Sequence, residues 1–76
     1  MTIVQRALDA KPADWQVIQI RSEEEDRPVS MIYAKRVSQK IMVCDAVYTD
    51  EYQWHTERSI ALDAGDVVRL ASLAGV

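Results

Sequence analysis

The feature that most constrains this chain is a change of hydrophobic period at Leu62–Asp63. Upstream of it, Tyr52, Trp54, Thr56, Arg58, Ile60 and Leu62 alternate with Gln53, His55, Glu57, Ser59 and Ala61. Side chains on a strand switch faces at every residue, so this period of two predicts a half-buried strand over Tyr52–Leu62. Downstream, Val67, Leu70, Ala71 and Ala74 recur at the spacing of one helix face. Asp63 stands where a carboxylate accepts a hydrogen bond from a free first-turn N–H. Asp66 faces the positive end of the helix dipole, and Gly75 falls where a left-handed C-cap residue belongs. A strand running directly into a capped helix over Asp63–Ala74 is therefore expected.

The segments before it read as more sheet. Trp15–Arg21 is aromatic and β-branched. Val29–Val37 alternates, with Val29, Met31, Tyr33, Lys35 and Val37 on one face and Ser30, Ile32, Ala34 and Arg36 on the other. Ile41–Thr49 carries Met42, Cys44, Ala46 and Tyr48 on one face and Ile41, Val43 and Val47 on the other. Ser38–Gln39 and Asp50–Glu51 read as turns. Ser22–Pro28 contains four consecutive acids, Glu23, Glu24, Glu25 and Asp26, which repel one another and cannot pack, so it reads as a solvated hairpin tip. Before Pro12, Thr2–Ala10 has apolar residues spaced for a short helix capped by Thr2, although Ile3–Val4 could equally begin a strand.

Short connections between strands imply an antiparallel meander. The expected fold is α+β: a four-stranded antiparallel β-meander followed by a C-terminal α-helix, dimeric. It forms a single β-β-β-β-α domain over residues 1–76, with residues 1–12 as a short helix or flexible arm. The dimer follows from packing. The third strand is apolar on both faces, whereas a helix of about twelve residues is only ~18 Å long and covers part of one face. A second layer must then come from another copy or from a partner.

Composition narrows the function classes. With 76 residues and one cysteine, Cys44, the chain has no internal disulfide and no cysteine-rich zinc set. A small core without such staples often relies on oligomerisation. A single thiol fits a reducing compartment. There is no basic-then-apolar leader pattern and no apolar run of ~20 residues, so a cytoplasmic protein without membrane insertion is expected. The net charge of −3 does not favour nucleic-acid binding through a global basic field, though it leaves room for a local patch.

Over Val47–Leu73 the chain resembles the positive cofactor four family of transcriptional coactivators. The residues that carry the likeness are Tyr48, Asp50, Trp54, Thr56, Ile60 and Leu62, followed by the helix Asp63–Ala74. Two positions depart from the family pattern: His55 stands for its proline and Ser59 for its glycine. The helix also lacks the family's usual aromatic, with Val68 nearby instead, and the upstream strands are less basic than the family norm. The resemblance implies a dimer that binds single-stranded DNA through its sheet, with basic and aromatic residues lining the groove.

Candidate site residues follow from the same reading. Lys35, Arg36 and Lys40 form the densest basic spot. With Tyr52, Trp54 and Arg58, and Tyr33 nearby, they could stack bases and track phosphates, as single-strand binders do. The opposing reading puts the rings in the core and uses the cations to guard a sheet edge. His55 and Cys44 are too sparse for a metal site, and no glycine-rich phosphate loop exists. Mid-strand Cys44 reads as a buried inert thiol, and Asp45 needs a partner such as Arg58 or Lys40, or a wet dimer interface. The expectation is a non-enzymatic regulator without a cofactor, binding single-stranded nucleic acid. The alternative is an acidic inhibitor or adaptor that docks on a protein through Glu23, Glu24, Glu25 and Asp26.

Overall fold

The computed structural model describes residues 2–22, 29–49 and 51–75. Its elements are α1 (Ile3–Ala10), β1 (Gln16–Arg21), β2 (Ser30–Val37), β3 (Lys40–Tyr48), β4 (Trp54–Leu62) and α2 (Ala64–Leu73). The four strands form one antiparallel sheet in the order β1-β2-β3-β4. The meander and the C-terminal helix are as the periodicity predicts. The N-terminal segment is the helix rather than the strand: the Thr2 hydroxyl accepts from the Gln5 N–H at 3.1 Å and caps it.

One face of the sheet is closed. Met31, Tyr33, Cys44 and Ala46 are buried there, with Trp15, Val17, Met42 and Trp54 against them. The Trp15 ring stacks flat on Tyr33 with centroids 3.7 Å apart. At one end, Ala7 of α1 is buried with Val29 and Tyr48. The indole N–H of Trp54 donates to the Ala7 carbonyl at 2.7 Å, tying α1 to β4. The cover on this face is thus α1, not the C-terminal helix as packing arguments suggest.

The C-terminal helix is well capped and poorly packed. The Asp63 carboxylate accepts from the Asp66 N–H at 2.8 Å, and the Asp66 carboxylate accepts from the Asp63 N–H at 3.0 Å, a reciprocal box. Gly75 adopts φ 81°, the left-handed conformation expected of it. Yet no residue of α2 is buried, and its main neighbour is β4. Local signals specify where this helix starts and stops, and they say nothing about what it lies against.

Strand β4 corrects the expected alternation. Asp45 pairs with Arg58 while the next residue of β3, Ala46, pairs with Thr56, so Glu57 is an extra residue in a bulge. The bulge switches the parity of the strand. Trp54 and Thr56 lie on the closed face opposite Tyr48 and Ala46, while Arg58, Ile60 and Leu62 lie on the other face opposite Asp45, Val43 and Ile41. The single apolar face over Tyr52–Leu62 therefore does not exist. Tyr52 stands outside the strand, at φ 61° in the turn that precedes it. A second irregularity at Ile18 bends β1 and leaves that side chain exposed.

Candidate association surface

The opposite face of the sheet is open. Its rows follow from the register: Ser30, Val47 and His55; Ile32, Asp45 and Arg58; Ala34, Val43 and Ile60; Arg36, Ile41 and Leu62. Gln19 and Arg21 of β1 pair with Ile32 and Ser30 and border it. A shallow depression of about 610 Å³ lies over this face, with Ile32, Val43, Val47 and Ile60 along it and Arg21 and Arg58 at its sides. Ile60 is 60% exposed, and Ile32 is also open to solvent. A central strand that is apolar on both faces ordinarily signals cover on both sides, and here none of the described residues covers the second face.

Asp45 would be costly on such a face if left alone. It accepts a hydrogen bond from the Arg58 guanidinium at 3.1 Å, one of the alternatives that the sequence leaves open for it. The pair is solvent-exposed, so it contributes at most about 1 kcal/mol to stability. Its effect is to leave the middle of the open face locally neutral. The adjoining helix behaves alike, because Arg69 pairs with Asp66 at 3.1 Å. Four aliphatic residues of α2 are exposed: Val67, Val68, Leu70 and Leu73, the last at 86%.

The six residues read as a nucleic-acid platform do not converge. Lys35 pairs with Met42 on the closed-face side, Arg36 pairs with Ile41 on the open face, and Lys40 pairs with Val37 at the hairpin end. The Arg36 guanidinium turns back to donate to the Ser38 carbonyl at 3.3 Å. Trp54 pairs with Tyr48 at the far end of β3. The six residue steps from Met42 to Tyr48 separate the two ends by about 20 Å at a strand rise of ~3.3 Å. Trp54 is half-buried and engaged by α1, and Tyr33 is buried with its hydroxyl on Thr56 at 2.8 Å. Tyr52 lies under Arg6, whose guanidinium carbon is 5.0 Å from the ring centroid. Arg58 is held by Asp45. Trp54 and Tyr33 join the closed face because each has an apolar body to bury and a polar tip that finds a partner there, whereas Tyr52 stays 59% exposed.

Cys44 is buried, as its place mid-strand predicts, and His55 is exposed. Among the described residues no three of His, Cys, Asp and Glu converge as a metal-holding group. Among the described residues, no helix is long and apolar enough to cross a membrane. The acidic run Glu23, Glu24, Glu25 and Asp26 lies outside the described residues. What sequence reasoning missed is how far the open face extends. The signal was there in Ile41, Val43 and Val47, but the bulge that adds Ile60 and Leu62 to them has no sequence mark.

Comparison with protein-family models, with curated proteins and with solved structures returns no match.

Proposed function

We propose that this chain is a non-enzymatic association module that acts by binding a polypeptide, a second copy of itself or another protein, through the open sheet face and the adjoining helix α2. The observation that carries this reading is the nature of the uncovered surface. It is aliphatic, its central charges are paired with one another, and of the rings that would stack nucleobases Tyr33 and Trp54 lie in or against the core, with Tyr52 exposed in the turn before β4 and away from this face. Apolar patches of this kind mark protein-binding sites on small domains.

A second reading, a single-strand binder of the kind implied by the likeness to positive cofactor four, keeps one specific support. Lys35, Arg36 and Lys40 lie at one end of the sheet. Titration of a labelled single-stranded oligonucleotide, followed by fluorescence anisotropy, separates the two. The protein-binding reading expects a flat signal to tens of micromolar protein. Binding that weakens steeply with salt, and that is lost when Lys35, Arg36 and Lys40 are replaced by glutamine, would instead establish phosphate recognition at the hairpin end.

A further inference from the structure

Resting on the protein-association reading, we propose that the occupant of the open face is a second copy of this chain. A two-fold axis would place α2 of each copy across the open sheet face of the other.

The first argument is one of surface. The chain exposes 5833 Å². A folded monomer of 8.6 kDa exposes about 4,700 Å² on the usual scaling with mass. The surplus of roughly 1,100 Å² exceeds the ~800 Å² that each partner contributes to a standard interface. The dimensions agree: the radius of gyration is 13.9 Å, against about 11.4 Å for a compact domain of this length. Among the described residues, half of the exposed large apolar side chains lie on β4 and α2: Ile60, Val67, Val68, Leu70 and Leu73. No residue of α2 or β4 is buried, whereas β2 and β3 supply most of the core.

The second argument is complementarity between these two parts of the same chain. The helix is about 15 Å long at ~1.5 Å per residue. The apolar floor from Ile32 on β2 to Ile60 on β4 spans two strand intervals, or about 10 Å at ~4.8 Å each. A helix presenting Val67, Leu70 and Leu73 therefore matches the floor in scale and chemistry. The charges match as well. The helix and its cap carry Asp63 and Asp66 against a single Arg69, a net negative element. The open face carries Arg21, Arg36 and Arg58 against a single Asp45, a net positive one. A foreign helix could satisfy either half; a second copy satisfies both at once, because a two-fold interface repeats each contact.

The third argument is that α2 does not cover its own sheet. Only Asp63 separates β4 from α2, and the reciprocal cap holds that junction in one geometry. Helix and open face are thus both presented, and neither fills the other within one chain.

Sedimentation velocity and charge-variant chains test the proposal. Wild-type protein is expected as a dimer at about 100 µM. Ile60→Glu and Leu70→Glu, both at positions exposed in the single chain, are each expected to raise the dissociation constant at least tenfold, with an unchanged far-ultraviolet circular dichroism spectrum. A cross-linking experiment then fixes the geometry. Differently tagged Ile60→Cys and Leu70→Cys chains are mixed with a short bis-maleimide; Cys44, being buried, is the control in wild type. A product containing one of each tag supports the reciprocal arrangement. A wild-type dimer whose Leu70→Cys chains cross-link only with one another overturns that arrangement and leaves the association reading standing. A wild-type monomer at that concentration overturns self-association itself, and the oligonucleotide titration then decides separately what the surface binds.

Discussion

At the scale of single residues, the closed face depends on side chains that combine an apolar body with one directed hydrogen bond. Trp54 is the clearest case, since its indole N–H is what joins α1 to the sheet. Trp54→Phe keeps a ring in place but leaves the Ala7 carbonyl without its donor. The expected loss is about 1–3 kcal/mol, read as a lower urea midpoint; a loss of only a few tenths would mean that α1 is held by packing alone. Tyr33 gives a pH signature. Burial pushes its phenol above the ordinary value, outweighing the lowering effect of its hydrogen bond to Thr56. The folded chain therefore keeps a proton that the unfolded chain releases near pH 10. The associated stability is fully present below that pH and is lost as pH rises through the folded-state pKa. Thermal melts between pH 9 and pH 11 should show a shallower decline for Tyr33→Phe than for wild type, on a baseline lowered by roughly 0.5–1.5 kcal/mol for the lost bond to Thr56. Parallel declines would remove Tyr33 from the account.

At the scale of elements, β4 and α2 behave differently from the rest. The Glu57 bulge is an extra residue, so deleting it restores regular alternation without moving Trp54 off the closed face or Ile60 off the open one. Deletion of Glu57 is expected to cost no more than about 1 kcal/mol, whereas deletion of Thr56 also removes the partner of Tyr33 and is expected to cost more. Paired thermal melts compare them, and an equal cost would show that the bulge has no role in setting parity. The cap of α2 is a second test. Asp63→Ala removes the acceptor for the Asp66 N–H, worth about 0.5–2 kcal/mol to the helix. Because no residue of α2 is fully buried in the single chain, this loss should leave the sheet melting almost unchanged and appear instead as weaker self-association in sedimentation. A drop in sheet stability of the full amount would place α2 within the monomer's cooperative unit.

At the scale of the whole molecule, one sheet face is closed by α1 and Trp15, and the other is open. The concentration dependence of unfolding reports on this. Anything that binds only the folded state raises the melting temperature by mass action, and a second copy does so in proportion to protein concentration. A hundredfold dilution should lower the melting temperature of wild type and leave that of Ile60→Glu nearly constant. A wild-type melting temperature independent of concentration would count against the proposed second layer.

The strands, the hairpin turn at Ser38, the caps of both helices and the buried thiol of Cys44 were all legible from the residues themselves. Each depends on interactions a few positions apart or on a face assignment within one regular strand, and such patterns survive in one dimension. The sequence also showed, through Ile41, Val43 and Val47, that β3 is apolar on both sides. Only the tertiary structure decided which face is closed and by what. A helix stripe has no label for the surface it meets, so Thr2–Ala10 took the cover that Asp63–Ala74 was expected to supply. The bulge at Glu57 was equally invisible, because one extra residue changes no local propensity yet reverses the face of everything after it. That reversal put Arg58 on the face opposite Trp54, while strand length and parity kept Lys35, Arg36 and Lys40 apart from the rings. It also gathered Ile60 and Leu62 onto the open face, where burial by contact with another polypeptide is the physical outcome that their exposure favours.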